Sequence, residues 1–298
     1  MHIRALFGGT LLLMSLLFSA TAAQPFPQLS PRVQRISVQT QGAGTDVILI
    51  PGLASSREVW ADLAAELRKK HRIHLVELAG FADTPAISNP EGRVIAPAAE
   101  AIAEYIQAQH IKAPAIIGHS LGGEIALMLG ARYPNQVGRL MIVDALPFYT
   151  LTIDPAATSE TAVRHAASMR NWLLQQSPEQ FEASQKASVA RLARSEAVRP
   201  ALVAASIRSD RKTVADAVYE LMVTDLRPEL GRIKAQMAIV YAYDALFGIP
   251  ATSVEAMYRQ AYASAPHIRF TRIDDSFHFV MLDQPERFAS AVNAFLNE

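Results

Sequence analysis

Ala115-Ile116-Ile117-Gly118-His119-Ser120-Leu121-Gly122-Gly123 is the stretch that decides how this chain is read. Three apolar residues lead into a serine flanked by Gly118 and Gly122, and a helical pattern then runs over 121–133 until Pro134 stops it. A serine hydroxyl is a weak nucleophile until a base takes its proton and the local geometry exposes it. A tight turn between a strand and a helix gives that exposure, and it tolerates only small neighbours, which Gly118, Gly122 and Gly123 supply. The helix that follows points its free N–H groups and the positive end of its dipole at any oxyanion formed beside the serine. Ser120 is therefore the expected nucleophile and the Leu121 backbone the expected first donor to the oxyanion. His119, the variable position of the turn, is expected to shape the pocket floor. A chance turn of the same composition is the bland alternative, and the flanking strand and helix argue against it.

Working outward, apolar runs alternate with amphipathic segments. Val47-Ile48-Leu49-Ile50 ends at Pro51-Gly52 and reads as a buried strand. Ser56 stands where an N-cap belongs, and Val59, Trp60, Leu63 and Leu67 recur at helical spacing. Ile73-His74-Leu75-Val76 reads as the next strand, Ile95, Ala99, Ile102 and Ile106 mark a helix, and Leu140-Met141-Ile142-Val143 is the strand after the Ser120 helix. Strands that are apolar on both faces and alternate with helices predict a mostly parallel central sheet flanked by helices, the α/β class. The rhythm breaks over 147–232, where helical spacing persists and no strand run stands out. It resumes at Met237-Ala238-Ile239-Val240-Tyr241, continues over 268–273, and closes with a helix carrying Phe288, Val292 and Phe295. The expected organisation is thus a core in two parts, 24–146 and 233–298, with a helical insertion over 147–232.

The ends and the composition narrow the context. The chain has 298 residues, 28 basic and 28 acidic, and no basic run that would track a phosphate backbone, so nucleic acid is not an expected partner. Met1-His2-Ile3-Arg4, an apolar stretch over 5–18, and the small residues Ser19-Ala20-Thr21-Ala22-Ala23 have the order of a secretory signal peptide, cleaved after Ala22 or Ala23. The apolar stretch is shorter than the ~20 residues a membrane-spanning helix needs, so stable membrane insertion is not expected after cleavage. With no cysteine, disulfides, thiolate metal sites and lipid-modified cysteines are excluded. The mature chain is expected to be exported, periplasmic or secreted. Neither a His-Glu-x-x-His zinc motif nor a dinucleotide-type Gly-x-Gly-x-x-Gly opening a helix is present, so no cofactor or metal is expected.

Two further loops carry a family resemblance. Pro51-Gly52-Leu53, after the first long strand, resembles the His-Gly-x oxyanion loop of the α/β-hydrolase superfamily. Glu77-Leu78-Ala79-Gly80-Phe81-Ala82-Asp83-Thr84 resembles that superfamily's Asp-x-Pro-Gly-x-Gly-x-Ser loop, with Glu, Ala, Ala and Thr where Asp, Pro, Gly and Ser are commoner. With the Ser120 turn, these are three landmarks in the family's order, and the chain resembles a capped, esterase-like serine hydrolase. The resemblance implies Leu53 as the second backbone oxyanion donor. It also implies the chain order nucleophile, acid, histidine.

His278, in Asp275-Ser276-Phe277-His278-Phe279 after the last strand, is then the expected base; His267 sits at the strand's other end and reads as a surface turn residue. The acid must hold the imidazole tautomer from the carboxyl end of a core strand. Asp244, directly after 238–242, is the expected acid, and Asp144, ending the preceding strand, is its competitor because some members recruit the acid there. The resemblance makes the insertion a cap that sets substrate choice. Phe148 and Tyr149 at its entrance are expected in the pocket, and Trp172, Leu173, Leu174, Phe181, Leu192 and Met222 are weaker candidates. The expected activity is hydrolysis of a carboxylic ester or related acyl bond of a small-molecule substrate through an acyl-enzyme. Acyl transfer, carbon–carbon hydrolysis or a noncatalytic binding protein on the same fold are the alternatives. Oligomeric state is not legible.

Overall fold

The computed structural model describes residues 33–88 and 91–297, so the expected export signal over 1–23 lies outside the described residues. The chain runs β1 (Ile36–Gln41), β2 (Thr45–Ile50), α1 (Ala61–Leu67), β3 (His71–Leu78), α2 (Ile95–Ala108), β4 (Ala115–His119), α3 (Leu121–Arg132) and β5 (Arg139–Val143). Four helices follow, α4 (Ser159–Gln175), α5 (Pro178–Leu192), α6 (Arg199–Arg208) and α7 (Arg211–Val223). The core then resumes with β6 (Gln236–Tyr243), α8 (Ala251–Ala261), β7 (Ile268–Asp274), α9 (Val280–Asp283) and α10 (Pro285–Leu296). The sheet has seven strands in the order β1-β3-β2-β4-β5-β6-β7, and every neighbouring pair is parallel except β1 with β3. This is the doubly covered α/β sheet that the alternation of apolar runs predicted.

Side-chain alternation explains why the central strands are apolar throughout. Ile48 and Ile50, Ile116, Leu140 and Ile142 pack into one apolar layer with α2 and α3, while Val47 and Leu49, Ile117, Met141 and Val143 pack into the other with α1 and α10. Each such aliphatic side chain stabilises the fold by roughly 1.5–3 kcal/mol on burial. Helix α3 is buried at every position from Leu121 to Ala131, which is why it lacks a polar stripe. Strand β1 was not anticipated. It is an edge strand with exposed Gln39 and Thr40, so its two apolar residues, Ile36 and Val38, gave no run to read.

The insertion between β5 and β6 is helical, as its sequence indicates. Thr158 caps α4 and Ser177 caps α5, each in a reciprocal capping box, and the Asp210 side chain caps α7 by accepting from Thr213 N–H. The insertion is bonded to the core: Asp210 N–H donates to the Gly80 carbonyl at 2.7 Å, and Ala82 N–H donates to Ser209 Oγ at 2.8 Å. Glu220 on α7 accepts from the Val94, Ile95 and Ala96 N–H groups at 2.5, 2.8 and 2.9 Å, and so caps core helix α2. Among the described residues no helix is long and apolar enough to cross a membrane.

Candidate active site

The parallel strands bring four loops to their carboxyl ends: Ser120 follows β4, Asp144 follows β5, Asp244 follows β6 and His278 lies beyond β7. Ser120 sits at φ 55°, ψ −122°, a conformation an L-residue adopts only under constraint. Its N–H donates to the Val143 carbonyl at 2.9 Å, and its own carbonyl accepts from Gly123 and Glu124 at 2.7 and 3.2 Å, so strand and helix hold the turn from both sides. The glycines are required by close approach: a Cβ on Gly118 would overlap the Gly122 carbonyl, and one on Gly122 would overlap the Ile50 and Pro51 carbonyls. Leu121 is the first residue of α3, where N–H groups have no helical acceptor, and Leu53 lines the cavity that Ser120 also lines. That cavity, ≈ 830 Å³, lies between the sheet's carboxyl end and the insertion, and Ser120 and His278 both line it.

The carboxylate on the imidazole is Asp144. Its Oδ2 is 2.7 Å from His278 Nδ1, while its Oδ1 accepts from Ala242 N–H at 2.9 Å and from the Tyr258 hydroxyl at 3.0 Å. Asp144 takes a positive φ of 46° as the chain leaves β5, and its N–H donates to the Val240 carbonyl at 2.7 Å. With a carboxylate on Nδ1, that nitrogen carries the proton, and the Nε2 lone pair is left as the proton acceptor. Burial and the adjacent Asp144 push the Tyr258 phenol well above its ordinary range, so it stays a donor.

The expectation that Asp244 holds His278 is therefore corrected. Asp244 is turned away: its Oδ1 accepts from Leu246 N–H at 2.8 Å, capping the turn after β6, and its Oδ2 pairs with Arg194 Nε at 2.7 Å. The Arg194 contact is an ion pair without hydrogen-bond alignment, since Oδ2 gains no directed donor. Arg194 belongs to the insertion, so Asp244 joins insertion to core.

His119 is fully buried beneath the site, its ring 4.5 Å from that of His278 and edge-on to Trp60. Its Nε2 donates to the His278 carbonyl at 3.0 Å, fixing the loop that carries His278. Burial first, and then the neighbouring His278, depress its pKa well below the usual histidine range, so His119 is neutral, and it lines the cavity. His74 is a buried core residue bonded to Asp46 and Tyr105, and His267 is a turn residue at φ 51°.

Of the pocket candidates, Tyr149 lines the cavity but Phe148 does not. The backbone at Phe148 is extended, so adjacent side chains point oppositely, and its ring packs fully buried in the core beneath Arg227. From the insertion, Trp172, Leu173, Leu192 and Met222 reach the cavity, whereas Phe181 packs against Arg211 and Leu173. Among the lining residues that the sequence reading did not single out are Tyr258 and Glu124. Tyr258 carried no signal beyond helical spacing on α8, and Glu124 was read only as part of the helix after the turn. Among the described residues no group of three His, Asp or Glu is placed to hold a metal ion.

Comparison with known proteins agrees with this architecture. A pimeloyl-[acyl-carrier protein] methyl ester esterase of Chromobacterium violaceum is 32% identical over 150 residues, which span 50% of this chain and 56% of that protein. Its counterpart from Edwardsiella ictaluri is 26% identical over 264 residues, covering 86% of this chain and 95% of the relative. An esterase structure from Exiguobacterium antarcticum superposes with a TM-score of 0.74 at 19% identity, covering 88% of this chain and 96% of that one. The profile of the alpha/beta hydrolase fold matches residues 46–285, and the chain belongs to that family.

Proposed function

We propose that the protein hydrolyses a carboxylic ester through an acyl-enzyme, with Ser120 as nucleophile, His278 as general base and acid, and Asp144 as the carboxylate that orients the imidazole. The observation that carries this reading is the 2.7 Å contact of Asp144 with His278 Nδ1 beside a serine held at φ 55° on the wall of the same cavity. Esterase activity of the relatives points the same way.

His278 Nε2 accepts the Ser120 hydroxyl proton as Oγ bonds the ester carbon, and the negative charge moves to the carbonyl oxygen. The Leu53 and Leu121 backbone N–H groups receive that oxyanion. Collapse breaks the ester C–O bond, with the imidazolium giving its proton to the departing alcohol oxygen. Water, deprotonated by the same nitrogen, then cleaves the acyl-enzyme to acid and free serine. Asp144 stabilises the imidazolium across its contact with Nδ1.

The four helices between β5 and β6 act as a cap that shapes the substrate cavity, and the N-terminal segment over 1–23 directs export. The expected test is hydrolysis of short-chain p-nitrophenyl esters: Ser120→Ala lowers kcat by at least ~10³-fold and abolishes fluorophosphonate labelling. Equal rates in wild type and Ser120→Ala would remove the assignment. Product analysis with methanol present separates hydrolysis from acyl transfer. Recovery of the mature chain, cleaved near Ala22 or Ala23, from a periplasmic or culture fraction tests export.

A further inference from the structure

Glu124 is a buried acid with no structural employment. It lies one turn into α3, is 1% exposed, and lines the cavity that holds Ser120. Neither of its carboxyl oxygens has a hydrogen-bond partner among the described residues. The Tyr149 backbone amide approaches it without reaching hydrogen-bond geometry. A buried polar group left unpaired costs roughly 1–3 kcal/mol, and a leucine of similar volume would fill the place without that cost.

Position ties the group to the reacting centre. Glu124 N–H donates to the Ser120 carbonyl at 3.2 Å, so Glu124 closes the turn of α3 that opens directly after Ser120. Helical side chains lean toward the N-terminus of their helix. Glu124 therefore leans toward the Ser120 end of the helix.

The surroundings fix its chemical form. The other carboxylates near it are already matched: Glu220 by the three N–H groups that open α2, and Asp225 by Arg227 at 2.7 Å. Burial, followed by the nearby Glu220 charge, raises the Glu124 pKa well above its ordinary value. A protonated carboxyl presents one O–H donor and one carbonyl acceptor side by side. The small group complementary to both is a hydroxyl, which donates once and accepts as well.

We propose that Glu124 recognises a hydroxyl group on the substrate, so that the enzyme selects esters bearing a hydroxyl near the scissile bond over their plain alkyl counterparts. This rests on the hydrolase reading above and names the substrate class of the same site.

The test uses matched pairs. One pair places the hydroxyl in the acyl half, p-nitrophenyl 3-hydroxybutyrate against p-nitrophenyl butyrate. The other places it in the alcohol half, 2-hydroxyethyl butyrate against propyl butyrate. In wild type, kcat/KM favours the hydroxyl member of one pair by about tenfold, the discrimination a single hydrogen bond gives. In Glu124→Leu that ratio falls to about one, with the change carried by KM for the hydroxy ester. Glu124→Gln, which keeps a donor and an acceptor, retains at least half of the wild-type ratio.

A wild-type ratio near one in both pairs overturns the proposal without any variant being needed. So does a ratio that survives Glu124→Leu. An ester carrying an ammonium in place of the hydroxyl is the third arm; its preference, lost in both variants, would make Glu124 an anion and overturn the hydroxyl reading. Fluorophosphonate labelling of Ser120 separates the two levels. Labelling with unchanged ratios sinks only the role of Glu124, while absence of labelling and of turnover sinks the hydrolase reading and this proposal with it.

Discussion

Replacing Asp144 with asparagine exchanges one oxygen for an NH2 and leaves shape intact, and the surrounding donors dictate where the NH2 goes. Oδ1 accepts from Ala242 N–H at 2.9 Å and from the Tyr258 hydroxyl at 3.0 Å, so the amide oxygen must stay on that side. The NH2 is then forced to face His278 Nδ1 across the 2.7 Å contact. Two donors cannot face each other, so the imidazole moves its proton to Nε2 and loses the lone pair that would take the Ser120 proton. Precedent for the wrong tautomer in serine triads is a loss of about 10⁴ in kcat, or about 5 kcal/mol at ~1.4 kcal/mol per tenfold. The parallel variant, Asp244→Asn, loses the Arg194 ion pair but keeps the Leu246 cap, and its kcat stays within about tenfold of wild type. Both are measured as burst and steady-state release of p-nitrophenolate, with thermal melts to verify folding. Full activity in Asp144→Asn together with an inactive, folded Asp244→Asn would refute the triad drawn from this geometry.

Tyr258→Phe removes one of two donors on the same carboxylate and lowers kcat about tenfold with little change in KM, since Ala242 N–H still orients Asp144. Glu220→Ala strands three N–H groups at the start of α2 and frees α7 from the core, so its urea midpoint shifts by an amount equal to about 2–4 kcal/mol. The raised pKa of Glu124, set among Glu220, Asp225, Tyr149 and Tyr262, means the native chain binds a proton that the unfolded chain releases near 4.5. Stability therefore falls as pH rises above about 4.5 toward the folded pKa, and the fall is absent from the wild-type minus Glu124→Gln difference only if Glu124 is already ionised in the native state. Urea melts between pH 4 and 8 measure that difference.

Much of this molecule was written locally. The apolar runs at 47–50, 115–117 and 140–143 must be buried on both faces, and the glycines around Ser120 fit only a turn in which their missing side chains are needed, so the sheet and the tight turn at Ser120 were both legible in the sequence. The position of His278 after the last strand followed from chain order. The edge strand β1 was not legible, because only one of its six residues is fully buried and an edge needs no apolar run.

The acid was decided elsewhere. Asp144 and Asp244 both end core strands, and nothing within a few residues of either distinguishes them. What separates them is contributed from far along the chain: Tyr258 on α8 steadies one carboxylate against His278, while Arg194 in the insertion draws the other away. The same holds for Phe148 and Tyr149, adjacent in sequence yet divided between core and cavity by extended backbone, and for Glu124, whose isolation exists only because α3 is buried on every side. Local sequence determined which residues can react and which segments must be buried, since those depend on side-chain type and spacing. Partnership among charged groups required the tertiary structure, because a carboxylate's role is set by the donors that surround it, and those come from segments far along the chain, Tyr258 and Ala242 for Asp144 and Arg194 for Asp244.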